Sequence, residues 1–220
     1  MAHLLFDLDG TLTDPFEGIT RSVQYAMQQL GFSAPPQAEL GWVIGPPLRK
    51  SFPQLLGRDD LTEAAIAAYR ERYNQTGLFE NQVYAGIPQA LDQLTALGHT
   101  LYVVTAKPQQ PAERILQYFG LAARFRAISG AALDASLDDK AVQIERLTTR
   151  LQLPLQDCLM IGDRDNDLLA ARRAGVHALA VCWGYGSDAE LHAAQPDGFC
   201  RQPDQLPDCI TTLLAARLPA

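Results

Sequence analysis

Positive charge is in short supply in this 220-residue chain, where 18 lysines and arginines stand against 25 aspartates and glutamates for a formal charge of -7. No diffuse cationic field is available for a nucleic-acid polymer or an anionic membrane surface, so an anionic ligand needs a local positive site such as a metal ion. Cysteine is sparse as well. The four present, Cys158, Cys182, Cys200 and Cys209, form no C-x-x-C pair, and the first two sit in apolar runs that read as strands, which argues against a zinc site. No 18-residue apolar run offers a membrane span. The start, MAHLLFDLDG, has too short an apolar lead before Asp7 to serve as the h-region of a signal peptide. Neither G-x-x-x-x-G-K-[ST] nor G-x-G-x-x-G follows a strand candidate, which excludes a P-loop or dinucleotide-binding protein. No internal repeat or low-complexity tract is present. The expectation is a cytoplasmic protein, monomeric or homodimeric.

What is present is an ordinary globular composition, 47% hydrophobic and 20% charged. Short β-rich runs, His3 to Phe6, Leu101 to Thr105, Phe125 to Ser129, Cys158 to Ile161 and Ala178 to Cys182, alternate with stretches of helical period. The helical stretches are Pro88 to Leu97, Ala112 to Tyr118, Lys140 to Leu151 and Asp167 to Ala174. This alternation predicts a Rossmann-like α/β core with a parallel sheet. One interval breaks it: roughly 95 residues separate the first two strands, where a single crossover unit needs about 30. The excess reads as helical, with apolar periodicity over Gly18 to Leu30 and Leu61 to Tyr73. Gly45-Pro46-Pro47 and Phe52-Pro53 punctuate two shorter helical pieces between them. The expected organisation is a core of residues 1–14 and 85–220 interrupted by a helical cap domain of residues 15–84.

Carboxylates gather at the ends of the strand candidates. Phe6-Asp7-Leu8-Asp9-Gly10-Thr11 sets two of them two residues apart just after the first strand, where open parallel sheets bind ligands. Like charges that close need a cation or a shared proton; the same residues would also suit an Asp-rich turn with a helix cap. Thr105 closes the second strand candidate before Ala106, Lys107 and Pro108, offering a hydroxyl and backbone N–H groups to a phosphoryl oxygen, or a helix N-cap. Lys140 opens a helix after the acidic loop Asp134 to Asp139, and taken alone reads equally as a solvated charge. Ile161-Gly162-Asp163-Arg164-Asp165-Asn166-Asp167 places further acids in a strand-to-helix loop, where they could equally satisfy a helix N-terminus.

Taken in order, D-x-D-G-T, a strand-ending Thr, a Lys and G-D-x-x-x-D resemble the four motifs of the haloacid dehalogenase superfamily, and the helical insert resembles that superfamily's cap. The resemblance implies a phosphatase in which Asp7 attacks phosphorus to form an aspartyl-phosphate. Asp9 would protonate the leaving alkoxide and then activate the hydrolytic water. It implies that Thr105, Ala106 and Lys140 hold phosphoryl oxygens. It also implies that Mg²⁺ is bound by Asp7, the Asp9 backbone carbonyl and Asp163, with Asp167 behind them. An aspartate at position 9 favours phosphate chemistry over carbon–halogen cleavage.

Further segments, Leu12-Thr13-Asp14-Pro15, Glu17-Gly18-Ile19-Thr20, Ile44-Gly45-Pro46-Pro47-Leu48 and Trp183-Gly184-Tyr185-Gly186, resemble the branch that contains phosphoglycolate phosphatases and a bacterial 5'-nucleotidase-like group. The first three are closer to the nucleotidase-like group. The implied substrate is a small phosphorylated metabolite, with nucleoside 5'-monophosphates ahead of 2-phosphoglycolate. A non-catalytic module on the same fold is the competing reading, and the intact set Asp7, Asp9, Thr105, Lys140 and Asp163 argues against it. In the cap, Arg49 and Lys50 are the candidate cations for substrate, or members of a solvated face. Trp42 and Tyr73 could stack on a base or fill the cap core.

Overall fold

The computed structural model describes residues 1–132 and 139–216. In chain order its elements are strand β1 (His3–Phe6), strand β2 (Thr13–Asp14), helices α1 (Phe16–Gln29), α2 (Leu48–Leu56) and α3 (Thr62–Arg72), strand β3 (Gln82–Val83) and helix α4 (Ile87–Ala96). There follow β4 (Thr100–Pro108), α5 (Gln109–Tyr118), β5 (Ala127–Ala131), α6 (Lys140–Leu151) and β6 (Cys158–Gly162). The chain ends in α7 (Asp165–Arg173), β7 (His177–Val181), α8 (Asp188–Ala193), β8 (Gly198–Cys200) and α9 (Leu206–Ala215). Two compact units divide them: Met1–Thr13 with Val83–Ala220, and Asp14–Gln82.

The first unit is a Rossmann-like α/β core. Its six-stranded sheet has the order β5-β4-β1-β6-β7-β8 and its strand pairs are parallel. A parallel sheet covered on both faces calls for continuous apolar strands, and Leu4, Leu5 and Phe6 of β1 and Leu159, Met160 and Ile161 of β6 are fully buried. Leu5, Tyr102, Val104 and Met160 pack on one face with Ile144 and Leu147 of α6 and Leu168 and Ala171 of α7. The alternate residues Leu4, Phe6, Val103 and Ile161 bury the opposite face. Register sets Phe6 beside both Val103 and Ile161. Asp7, Thr105 and Asp163 therefore reach the carboxyl edge together. Strand order reverses between β1 and β6, the place where open α/β sheets take their ligands.

Several details differ from the sequence expectation. Thr105 does not end its strand; β4 continues to Pro108, with the ladder to β5 shifting register between Val104 and Pro108. The Thr105 hydroxyl accepts from the Lys107 N–H at 3.2 Å inside that irregularity. β5 starts at Ala127 rather than Phe125, and a sixth strand, β8, was not expected. Helix α6 begins at Lys140 because the Asp139 side chain caps it, accepting from the Ala141 N–H at 2.9 Å. Of the acidic loop before it, Asp134 to Asp138 lie outside the described residues.

The second unit is helical. Ile19, Val23, Ala26 and Met27 of α1, Phe52 and Leu56 of α2 and Ala65, Ile66 and Tyr69 of α3 are among its buried side chains. Phe52-Pro53, expected to punctuate two short pieces, instead lies within α2. Proline there, the sixth of nine residues, removes the hydrogen bond to the Arg49 carbonyl, while Phe52 and Leu56 on either side are buried. Tyr73 belongs to this interior: it is 4% exposed and stacks on Tyr69 at 5.1 Å between ring centres. No described helix is long and apolar enough to cross a membrane.

Candidate active site

Beyond β1 the chain turns back on itself. The Leu8 carbonyl accepts from the N–H groups of Leu12 and Thr13, and the Gly10 N–H donates to the Thr13 carbonyl at 2.8 Å. Gly10 sits at φ +86°, and a Cβ there would meet Asp163 Oδ2 at 2.2 Å, so only glycine lets this turn approach the β6 loop. The turn leaves Asp7 and Asp9 3% and 8% exposed.

Four carboxylates share the edge with two ammonium groups. Lys140 Nζ lies 3.0 Å from Asp7 Oδ1 and also pairs with Asp167 Oδ1. The Asp7 contact is an ion pair whose geometry leaves Oδ1 without a directed hydrogen bond. Lys107 Nζ lies 2.8 Å from Asp9 Oδ2, while Asp9 Oδ1 is buried with no hydrogen-bond partner. Asp163, fully buried, accepts from the Thr11 hydroxyl at 3.0 Å and from the Tyr185 N–H at 2.8 Å. Asp167 Oδ2 accepts from the Arg164 N–H at 3.1 Å, holding the start of α7.

Burial dominates the electrostatics. It pushes the Asp9 carboxyl up, and the Lys107 ammonium opposes this without cancelling it. Burial also raises Asp163 well above the carboxylate range, with the Asp167 and Asp7 charges adding to it. Asp167 is raised to about 6 by burial, the Lys140 ammonium holding it back. For Lys140, burial alone would lower the pKa, but the Asp167 and Asp7 carboxylates outweigh it and hold the amine above the ordinary lysine range.

These shifts describe a site short of positive charge, since among the described residues four buried carboxylates face two lysines. Asp7, Asp163 and Asp167 each bring a carboxylate oxygen within 4.8 Å of the others. An all-oxygen, anionic set of this kind suits a hard divalent cation, which would relieve the mutual repulsion that raises Asp163. Asp9, expected to offer the metal its backbone carbonyl, directs its carboxylate to Lys107.

Of the other expected residues, Thr105 is 2% exposed at the same sheet edge and is followed by Ala106. Arg49 pairs on the surface of the helical unit with Glu63 at 2.9 Å, and Lys50 is exposed. Trp42 is 39% exposed. The sequence reading missed Lys107 and Thr11 as side chains of the site. Lys107 lies beyond the strand as read from the sequence and nothing local marked its side chain; Thr11 stands in the D-x-D-G-T motif, but its partner lies 152 positions away.

The haloacid dehalogenase-like hydrolase family model matches residues 4–181. A 5'-nucleotidase of Pseudomonas aeruginosa is 48% identical over 199 residues, 90% of each chain. The tyrosine-protein kinase PtkA of Mycobacterium tuberculosis is 34% identical over 83% of this chain and 62% of its own length, and phosphoglycolate phosphatases of Vibrio species are further relatives. A crystal structure of a predicted phosphatase from Clostridium acetobutylicum superposes with a TM-score of 0.92 at 36% identity, covering 96% of this chain and 98% of that one. With the ordered motifs carried on a sheet of this topology, the chain belongs to the haloacid dehalogenase-like hydrolases and is one of the phosphatases among them.

Proposed function

We propose that this chain hydrolyses small phosphomonoesters by way of an aspartyl-phosphate on Asp7, with nucleoside 5'-monophosphates preferred. The observation that carries the reading is the division of labour in the buried carboxylate pair. The Lys140 ammonium lies against Asp7 at 3.0 Å, while burial favours the protonated form of Asp9 and leaves one of its oxygens without a partner. An Asp7 oxygen attacks phosphorus in line as the ester oxygen departs, taking the Asp9 proton. Asp9, now a carboxylate, accepts a proton from the water that attacks the aspartyl-phosphate. Inorganic phosphate leaves and both carboxyl groups return to their starting states.

Thr105 accepts from Lys107 N–H, so its own hydroxyl hydrogen is available to a phosphoryl oxygen, and the Ala106 N–H would be the second donor. Lys140, held between Asp7 and Asp167, balances the growing charge on the transferring group. Asp7, Asp163 and Asp167, with the Asp9 carbonyl, would hold Mg²⁺, which supplies charge neutralisation at the phosphoryl oxygens when bound. Arg49 and Lys50 in the helical unit would contact the leaving group of the substrate, with that unit serving as cap. The four unpaired thiols support a cytoplasmic setting.

The preference for nucleotides rests on the 5'-nucleotidase relative at 48% identity, and 2-phosphoglycolate is the alternative that the phosphoglycolate phosphatase relatives support. The test is phosphate release from AMP, UMP and 2-phosphoglycolate at equal concentrations in Mg²⁺. Higher kcat/KM on the two nucleotides is the expected result. Preference for phosphoglycolate transfers the assignment to that substrate, and no release from any phosphomonoester, with or without added Mg²⁺, overturns the proposal.

A further inference from the structure

The segment after β7, Trp183-Gly184-Tyr185-Gly186, takes no part in the chemistry above, yet it touches both loops that supply the carboxylates. The Trp183 indole N–H donates to the Thr11 carbonyl at 3.0 Å, and the Thr11 hydroxyl in turn donates to Asp163 Oδ1 at 3.0 Å. Two residues further on, the Tyr185 N–H donates to Asp163 Oδ2 at 2.8 Å. Both oxygens of Asp163 are thus oriented, one through the β1 loop and one by the segment itself. The space between is closed. A Cβ on Gly184 would meet Asp163 Oδ2 at 2.3 Å and the Gly10 carbonyl at 2.4 Å, and one on Gly186 would meet the Asp163 carbonyl at 2.1 Å. The chain beyond continues the brace, for Glu190 Oε1 accepts from Arg164 Nε at 2.7 Å and from the Asp165 N–H at 3.0 Å.

We infer that residues 183–186 form a brace that sets the position of Asp163 against the Asp7 loop, with Trp183 as a positioning residue for divalent-cation binding. The inference rests on the cation reading of the Asp7, Asp163 and Asp167 cluster given above. A cation held by three carboxylates from two loops is sensitive to their spacing, and groups that orient metal ligands typically govern affinity by about 10- to 100-fold. Trp183 has no polar contact with the carboxylates themselves among its hydrogen bonds; it acts through Thr11. Removing its N–H releases the Thr11 carbonyl and loosens the hydroxyl on Asp163, so the effect is on the cation and not on the phosphoryl pocket.

The experiment measures Mn²⁺ binding to substrate-free protein by electron paramagnetic resonance in wild type, Trp183→Phe and Gly184→Ala, alongside the Mg²⁺ dependence of p-nitrophenyl phosphate hydrolysis and a melting curve for each. Trp183→Phe keeps an aromatic ring but no donor; it should weaken Mn²⁺ about tenfold or more. The Mg²⁺ concentration for half-maximal activity should rise in parallel, with KM for the ester at saturating Mg²⁺ close to wild type. Gly184→Ala, which drives a methyl group against Asp163, should weaken Mn²⁺ further. Either variant that folds suffices. Wild-type Mn²⁺ affinity in a folded variant overturns the brace, and so does a lower melting temperature with unchanged Mn²⁺ affinity, which would make the segment a structural support only. Absence of Mn²⁺ binding in wild type would instead overturn the cation reading, and the brace with it.

Discussion

The sheet edge and the helical unit use charged residues in opposite ways. At the edge, Asp7, Asp9, Asp163, Asp167, Lys107 and Lys140 are all at most 8% exposed. In the helical unit Arg49 and Glu63 pair with side chains 34% and 69% exposed, and Arg58 and Asp60 with side chains 52% and 62% exposed. Arg72 and Glu80, about 20% exposed, come closest to an interior pair there. Surface pairs are typically worth about 0 to 1 kcal/mol, whereas removing one partner of a buried pair costs about 3 to 5 kcal/mol. A fold keeps a buried knot of like charges against that cost only where the charges have work to do. The difference therefore separates chemistry from solvation more sharply than either motif or charge count does.

Substitutions can break this contrast or sharpen it. The largest expected effect is Asp7→Asn: loss of the nucleophile should lower kcat by about 10⁴-fold or more, while the melting temperature holds or rises because one of the mutually repelling carboxylates is gone. Steady-state kinetics and calorimetry on one preparation check both halves. Lys140→Met should lower activity as well, and it leaves Asp7 and Asp167 buried against each other; a stability loss of about 3 to 5 kcal/mol in urea titration is expected. Stability within 1 kcal/mol of wild type would mean that the lysine does not compensate the cluster.

Next in size is the helical unit, proposed above as the cap. Arg49→Ala and Lys50→Ala should lower kcat/KM for AMP by about 10- to 100-fold, the loss of a hydrogen bond to a charged group, and much less for p-nitrophenyl phosphate. Equal losses on both substrates would return these cations to the solvated face. Lys107→Met bears on pH. The lysine lowers the Asp9 pKa against burial, so without it Asp9 holds its proton to higher pH and the alkaline limb of kcat/KM should move upward; a downward shift would remove Lys107 from the acid's environment. Smallest of all, Arg58→Ala in an exposed pair should alter stability by less than about 1 kcal/mol.

Legibility in the sequence followed the range of the interactions. β1 and α6 begin and end where local pattern put them, because an apolar run before an acidic turn and an Asp cap before a helical stripe are short-range signals. Pro53 misled because a proline's local habit yielded to the burial of Phe52. β8, three residues long with a leading glycine, lacked the apolar length that marked the other core strands. At the edge, the carboxylates and Lys140 stood out by their spacing after strands. The partners that organise them did not, since Lys107 meets Asp9 across 98 positions and Trp183 meets Thr11 across 172. Those pairings come from sheet register, which a single strand does not encode.

The most direct measurement of the central claim is a trap for the covalent intermediate. Asp9→Asn protein mixed with p-nitrophenyl phosphate, whose leaving group needs little protonation, should still be phosphorylated but lack the base that activates water. Acid quench and peptide mass spectrometry should then find one phosphoryl group on the peptide containing Asp7, absent when Asp7→Asn is added to the same protein. Release of p-nitrophenol with no phosphoryl group on Asp7, or with the group on another residue, would contradict the account.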